Sequence, residues 1–186
     1  MNQQFPDIPE LSSDLTAIPP VEPLEQWKDG LLIAPGEGEA VWLLDELITF
    51  KIGVLETNYA ISLSEVSIGP AGGPPFHVHH RNGEGIYLLE GSLTLKMGRQ
   101  VRRLTTGSFA YVPSNIPHTY RAEGKTPAKL LVIYAPAGYE NFFREIGEAA
   151  RVKVLPPKDH LPDMLRYVQG QVKYNSEILG PPLGPM

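Results

Sequence analysis

Three of the chain's five histidines and a glutamate fall within eight consecutive residues, from His77 to Glu84. The segment reads His-Val-His-His-Arg-Asn-Gly-Glu and leads into an apolar run. The chain has no cysteine, so a metal ion bound here would have only nitrogen and oxygen ligands. Imidazole and carboxylate groups together suit divalent first-row transition metals, and the segment therefore predicts a metal site.

Strand geometry separates these histidines into two sets. Alternate side chains of an extended strand share a face, so His77 and His79 point together with their Cβ atoms about 7 Å apart. His80 points to the other face, so it is not predicted to bind the metal. A bend is predicted at residues 81–83, after which Glu84 can return to the same centre as a ligand and a possible base.

A fourth ligand is suggested by His118, which begins a later strand-like segment after the proline-bounded residues 113–117. Three neutral imidazoles and one carboxylate would hold one divalent transition metal and leave one or two coordination positions open. Nickel, manganese, iron, cobalt, copper and zinc all suit this ligand set, and the sequence does not choose among them.

Short strand-like segments fill the chain from residue 40 to residue 134. Most are separated by glycine or proline at intervals of roughly eight to twelve residues, and several alternate apolar with polar residues. This series predicts an all-β sandwich or barrel. Two short helices are predicted after residue 136, one with the apolar face 139–146 and one from Pro162 to about Gly170. The predicted strands are 40–44, 47–52, 59–66, 85–90, 92–97, 100–104, 109–112, 118–121 and 129–134.

The spacing of the first three ligands resembles the first motif of the cupin superfamily, Gly-x5-His-x-His-x3-4-Glu-x6-Gly. His77, His79, Glu84 and Gly91 match it. Its opening glycine falls on Ala71, next to two glycines, so the turn there is expected to shift slightly.

The second cupin motif, Gly-x5-Pro-x-Gly-x2-His-x3-Asn, is similar to the segment that contains Gly107, Pro113 and His118. Its inner glycine is replaced by Asn115, a residue type that tolerates left-handed backbone geometry. Its last position is Ala122, a change that removes no ligand. The resemblance covers roughly residues 71–122 and implies a double-stranded β-helix, or jelly-roll barrel, with four metal ligands.

A narrower resemblance extends over most of residues 40–183. Segments such as Gly72-Gly73-Pro74-Pro75-Phe76-His77 and Ile178-Leu179-Gly180-Pro181-Pro182 look like single-domain cupins grouped with bacterial quercetin 2,3-dioxygenases. This likeness implies a dioxygenase in which the metal binds a flavonol and Glu84 takes the proton of its 3-hydroxyl. The ring then reacts with O₂ and is cleaved, with release of carbon monoxide.

An apolar pocket for an aromatic or enol substrate is predicted beside the metal. Two alternatives stay open: a metal-dependent isomerase or epimerase of a small sugar or keto acid, and a small-molecule-binding cupin without catalysis. An isomerase would favour lysine, arginine or asparagine near the metal, whereas the residues predicted to point inward are mostly apolar. The predicted pocket residues are Phe76, Ile86, Leu88, Phe109 and Tyr120.

The composition sets the remaining expectations. A formal net charge of -5 argues against a nucleic-acid partner, and no apolar run approaches the roughly 18 residues of a membrane span. A cytoplasmic protein is expected, and pairing of edge strands predicts a homodimer. The expected division is a proline-rich N-terminal arm at 1–30, a cupin barrel at 31–136, and C-terminal helices and tail at 137–186.

Overall fold

The computed structural model describes residues 25–185, and most of their regular structure is β-strand. The strands include every predicted one, with ends that differ by at most a few residues, because alternation and flanking glycines mark them clearly. This part of the chain contains twelve strands: β1 Ala40–Leu43, β2 Glu46–Ile52, β3 Ser62–Ile68, β4 Pro75–His79, β5 Gly83–Glu90, β6 Ser92–Met97, β7 Gln100–Thr105, β8 Phe109–Val112, β9 His118–Ala122, β10 Ala128–Ala135, β11 Glu148–Ala149 and β12 Ser176–Pro182.

These strands form two sheets in which all neighbouring strands run antiparallel. Seven strands follow the order β11-β1-β2-β3-β10-β5-β8, and five follow the order β12-β4-β9-β6-β7. Along β3 every second residue is buried, as expected of a strand with one face on the core. The predicted all-β jelly-roll barrel is therefore confirmed.

The core lies between the two sheets and is made of aliphatic side chains from both. Ile86 and Leu88 of β5 and Leu130 of β10 are fully buried, as is Leu93 of β6 in the other sheet. Burying one such side chain contributes about 1.5–3 kcal/mol, so these contacts hold the sheets face to face. Strands β5 and β9, which carry the predicted ligands Glu84 and His118, contribute side chains to the same core.

Three α-helices within the described residues accompany the sheets: α1 Val54–Thr57, α2 Glu140–Ile146 and α3 Met164–Lys173. The first predicted helix matches α2, but the predicted end of the second at Gly170 is wrong, because α3 continues to Lys173. A Cβ at Gly170 would lie 2.8 Å from Ile146 Cγ2, so this glycine permits close packing on α2 and does not end a helix.

The predicted C-terminal tail also needs correction, because residues 176–182 form β12. This strand pairs with β4, with Ser176 opposite His79 and Ile178 opposite His77. Register shifts occur at Gly180 and Pro182. Proline is tolerated because β12 is an edge strand, where a missing N–H group need not interrupt a ladder.

Residues 1–24, which carry most of the predicted N-terminal arm, lie outside the described residues. The proposed division at residues 30 and 136 stays a prediction. Strands from the C-terminal segment nevertheless complete both sheets, since β11 pairs with β1 and β12 pairs with β4. No helix within residues 25–185 is long and apolar enough to cross a membrane.

Candidate metal centre

The structure brings together His77, His79, Glu84 and His118, and all four are buried. One ligand atom from each lies within 4.8 Å of the others. Strand β4 supplies the first two histidines and β9 the last, whereas the glutamate comes from β5 in the opposite sheet. The cluster therefore lies between the two sheets.

Backbone pairing and turns position these side chains. His77 of β4 is paired directly with His118 of β9. Asn115, in the loop before β9, has a φ of 65°, as expected for the residue that replaces a glycine of the motif. Ala71, at the other replaced glycine, has a φ of 66°, so this chain tolerates a left-handed alanine before β4.

Backbone carbonyl groups orient two of the imidazole rings. The Nδ1 atom of His77 lies 2.8 Å from the Pro75 carbonyl oxygen, and that of His118 lies 3.0 Å from the Ile116 carbonyl oxygen. A protonated Nδ1 donates to each carbonyl and turns the Nε2 atom of each ring toward the centre. Such contacts are typical of metal-binding histidines, because they fix both the tautomer and the ring orientation.

The atoms that face the centre of the cluster lie too close to one another for all of them to be unprotonated acceptors. The distance from Nε2 to Glu84 Oε2 is 3.1 Å for His79 and 3.0 Å for His118, and the Nε2 atoms of His77 and His79 are 3.2 Å apart. Lone pairs that converge at such distances repel unless a proton or a cation lies between them. The donor set thus fits a divalent transition metal.

The acid-base properties of the cluster agree with this arrangement. Burial, with the neighbouring rings of His118 and His79, lowers the pKa of His77 to about 3, and burial also lowers the pKa of His79. Burial alone would raise the pKa of Glu84, but hydrogen bonds with His118 and His79 hold it well below its usual range. The contact with Glu84 outweighs burial and raises the pKa of His118. These shifts favour the ionised form of Glu84 beside the imidazole rings.

His80 lies outside the cluster, at the surface. Its Nδ1 atom is 2.9 Å from Asn115 Oδ1, and its Nε2 atom is 3.6 Å from a carboxylate oxygen of Glu177. The adjacent His79 is 2% exposed, and the Nδ1 atom of His79 has no hydrogen-bond partner among the described residues. Strand alternation therefore separates these two adjacent histidines as the sequence predicted.

The five predicted pocket residues occupy different environments. Ile86 and Leu88 are fully buried in the core, and Tyr120 lies beside the ligands. Phe109 is 57% exposed, because residues 110 and 112 of β8 are the ones that point inward. The inward face of this strand is thus one residue away from the predicted one. Phe76 packs under the Lys96 ammonium group, 4.2 Å from the ring centroid, on the face of β4 opposite to His77.

A cavity of about 30 Å³ adjoins the cluster. His77 and Glu84 form one side, and Glu46 and Tyr120 are also part of its lining. Glu46 is not among the predicted site residues, although its place in the strand carries a signal: it shares a face of β2 with Ile48, a core residue. Such a volume holds one or two water molecules.

Aromatic side chains from the two C-terminal helices and the segment before α2 close the outer side of this cavity. Tyr139 lies against His79, with ring centroids 4.1 Å apart, and stacks on Phe142 at 5.1 Å. Phe143 and Tyr167 complete this outer wall. Aromatic side chains thus cover one side of the polar cluster.

Residues 64–134 match the family model described as the cupin domain. This region of the chain is a cupin domain. The match contains all four residues of the cluster and the strands that carry them. The cupin domain also has the fold of KdgF from Halomonas sp., with a TM-score of 0.54 at 14% identity over 60% of this chain and 98% of that one.

Two curated relatives are quercetin 2,3-dioxygenases. That of Bacillus subtilis strain 168 is 29% identical over 139 residues, which are 73% of this chain and 39% of the relative. That of Aspergillus japonicus is 26% identical over 118 residues, which are 60% of this chain and 33% of the relative. The chain thus spans less than half the length of either protein.

Proposed function

We propose that this cupin protein is a metal-dependent dioxygenase that cleaves a flavonol or a related aromatic enol with O₂. The observation that carries the proposal is the buried cluster of three imidazoles and one carboxylate, whose nitrogen atoms converge on Glu84. The similarity to two quercetin 2,3-dioxygenases supports the choice of reaction.

His77, His79, Glu84 and His118 would hold the metal. A bound divalent ion would act as a Lewis acid that lowers the pKa of a coordinated hydroxyl group. Glu84 would accept the proton of that hydroxyl group, because its carboxylate is ionised at neutral pH and borders the cavity. The histidines keep their orientation through the Pro75 and Ile116 carbonyl groups.

The aromatic wall would exclude bulk water from the reacting groups. A cavity of about 30 Å³ is smaller than a flavonol, so the proposal includes an outward movement of the wall formed by Tyr139, Phe142, Phe143 and Tyr167. Helices α2 and α3 carry most of this wall, so its opening would displace Phe142 and Tyr167 from the core.

The test is loss of flavonol absorbance when quercetin is incubated in air with protein loaded with nickel, manganese, cobalt or iron. We expect turnover above that of free metal, and a loss of at least about 100-fold in Glu84→Gln at equal metal content. Glu90→Gln, at the exposed end of the same strand, is the matched control and should retain activity. Absence of turnover above the free-metal rate with every metal would refute the proposal.

A second candidate is the isomerisation of a small hydroxy-carbonyl compound. Glu46 favours it, because it places a second carboxyl group in the wall of a small cavity. Proton transfer between adjacent carbons needs such groups but no O₂. Exchange of substrate hydrogen with deuterated water in the absence of O₂ would distinguish this reaction from oxygenation.

A further inference from the structure

Glu46 is a buried carboxyl group that neither the metal cluster nor the proposed proton transfer uses. It begins β2 and is 5% exposed. Among the described residues its carboxyl group has one hydrogen-bond partner, Tyr120, whose hydroxyl donates to Oε1 at 3.2 Å. Burying a carboxyl group with so few partners costs free energy, and leucine or glutamine would cost less at this position.

Glu46 borders the same cavity as two of the predicted metal ligands. It comes from the seven-stranded sheet and Tyr120 from the five-stranded sheet, so their hydrogen bond spans the core. Both residues line the cavity that His77 and Glu84 also line. Two carboxyl groups, one in the metal cluster and one bound by a tyrosine, therefore border the same small space.

We propose that Glu46, oriented by Tyr120, binds the carbonyl oxygen of a substrate that carries a hydroxyl and a carbonyl group on adjacent carbons. Glu84 accepts the hydroxyl proton, whose O–H bond breaks, while the O–H bond of Glu46 stays intact and donates to the carbonyl oxygen. The inference rests on the proposed metal centre and names its substrate class, which flavonols share with many hydroxy ketones.

The environment of Glu46 agrees with its role as a hydrogen-bond donor. Burial, the nearby Asp45 and the charge of Glu84 raise the pKa of Glu46 to about 8, although its bond with Tyr120 opposes the change. A carboxyl group that keeps its proton and borders the cavity can donate to a carbonyl oxygen there.

The test uses the full chain loaded with cobalt(II), titrated without O₂ with maltol, a small ring whose hydroxyl lies beside a carbonyl group. Binding is followed by the visible absorbance of the cobalt ion, so it is measured without turnover. Phenol, which lacks the carbonyl group, is the comparison ligand, and azide checks that the metal is accessible.

We expect Glu46→Leu to weaken maltol binding about tenfold and to leave phenol binding unchanged, because one hydrogen bond to the ligand is lost. Glu46→Gln keeps an N–H donor and should stay within about threefold of the wild type. Glu65→Gln, a surface glutamate paired with Lys129, is the matched control and should bind as the wild type does.

Equal maltol affinity in the wild type and Glu46→Leu would overturn the inference, as would an equal loss for maltol and phenol, which indicates a structural role. Failure of the wild type to prefer maltol over phenol would overturn it as well. Quercetin turnover is measured separately. A Glu46-dependent preference for maltol without turnover would reject the dioxygenase reaction and keep the substrate class.

Discussion

His79 and His80 are adjacent in sequence but lie on opposite faces of the chain where β4 ends. His79 Nε2 lies 3.1 Å from Glu84 Oε2 and is buried, whereas the side chain of His80 is 46% exposed. His79→Ala should lower the affinity for manganese or cobalt at least about 100-fold, while His80→Ala leaves it unchanged. Metal titration by calorimetry measures both, and equal affinities in the two variants would argue against the predicted ligand set.

Glu46 should make the stability of the protein depend on pH. Its pKa is 4.5 as a free group and about 8 when folded, so between these values the folded state binds more protons and stability falls as the pH rises. In Glu46→Gln the free energy of unfolding should fall by up to about 5 kcal/mol less over this pH range, since each pKa unit is worth about 1.4 kcal/mol. Urea unfolding of the metal-free protein from pH 5 to pH 8.5 is the measurement. A decrease of equal size in the variant would assign it to other groups.

The sequence predicted the residues of the cluster because their spacing is local: His77, His79 and Glu84 lie on two strands joined by a short bend. His118 came from the start of another strand. Glu46 was missed because a single glutamate at a strand start looks like a surface residue. Its burial depends on Tyr120 of the opposite sheet, a contact that the local pattern does not contain.

The edge strand β12 supports the strand that carries two predicted ligands. Its residues pair with His79 and His77 of β4, although β12 contributes no ligand itself. A chain that ends after Asn175 should therefore bind metal about tenfold more weakly and unfold at a lower temperature, because β4 loses backbone hydrogen bonds worth about 1 kcal/mol each.

A chain that ends after Pro182 is the matched control for this truncation, since it keeps the whole of β12. We expect it to match the full chain in metal affinity and in melting temperature. If the shorter chain also matches the full chain in both, β12 does not stabilise the site.

At the scale of elements, alternation predicted most strands of the barrel but neither β11 nor β12. Two glycines and three prolines at residues 180–185 look like a tail, and only the edge position of β12 makes the prolines at residues 181 and 182 acceptable. The predicted helix end at Gly170 is wrong for a similar reason. Its role depends on Phe142 and Ile146 of another helix, which lie 2.9 and 2.8 Å from where its Cβ would be.

At the scale of the whole molecule, the cluster joins the two sheets. His77, His79 and His118 belong to one sheet and Glu84 to the other, so a bound metal should oppose their separation on unfolding. Metal at about 100 times its dissociation constant should raise the free energy of unfolding by about 2.7 kcal/mol. Scanning calorimetry with and without metal checks this, and His118→Ala should show no such increase. A similar increase in that variant would place the bound metal elsewhere.

The sequence also predicts a homodimer, and solution scattering would test this prediction. A monomer mass at micromolar concentration would count against it. The sequence could predict the barrel from the number and spacing of its strands. It could not predict the volume beside the cluster, which depends on how closely α2 and α3 pack at Gly170.

The enclosed position of the cluster has a kinetic consequence. We expect a chelator to reach the ligand atoms slowly, because all four residues are buried and the ring of Tyr139 lies against His79. We therefore expect metal exchange in the folded protein to be slow, and loading to be most rapid while the chain folds. The ion found in the purified protein would then reflect the metals available during its folding more than equilibrium preference.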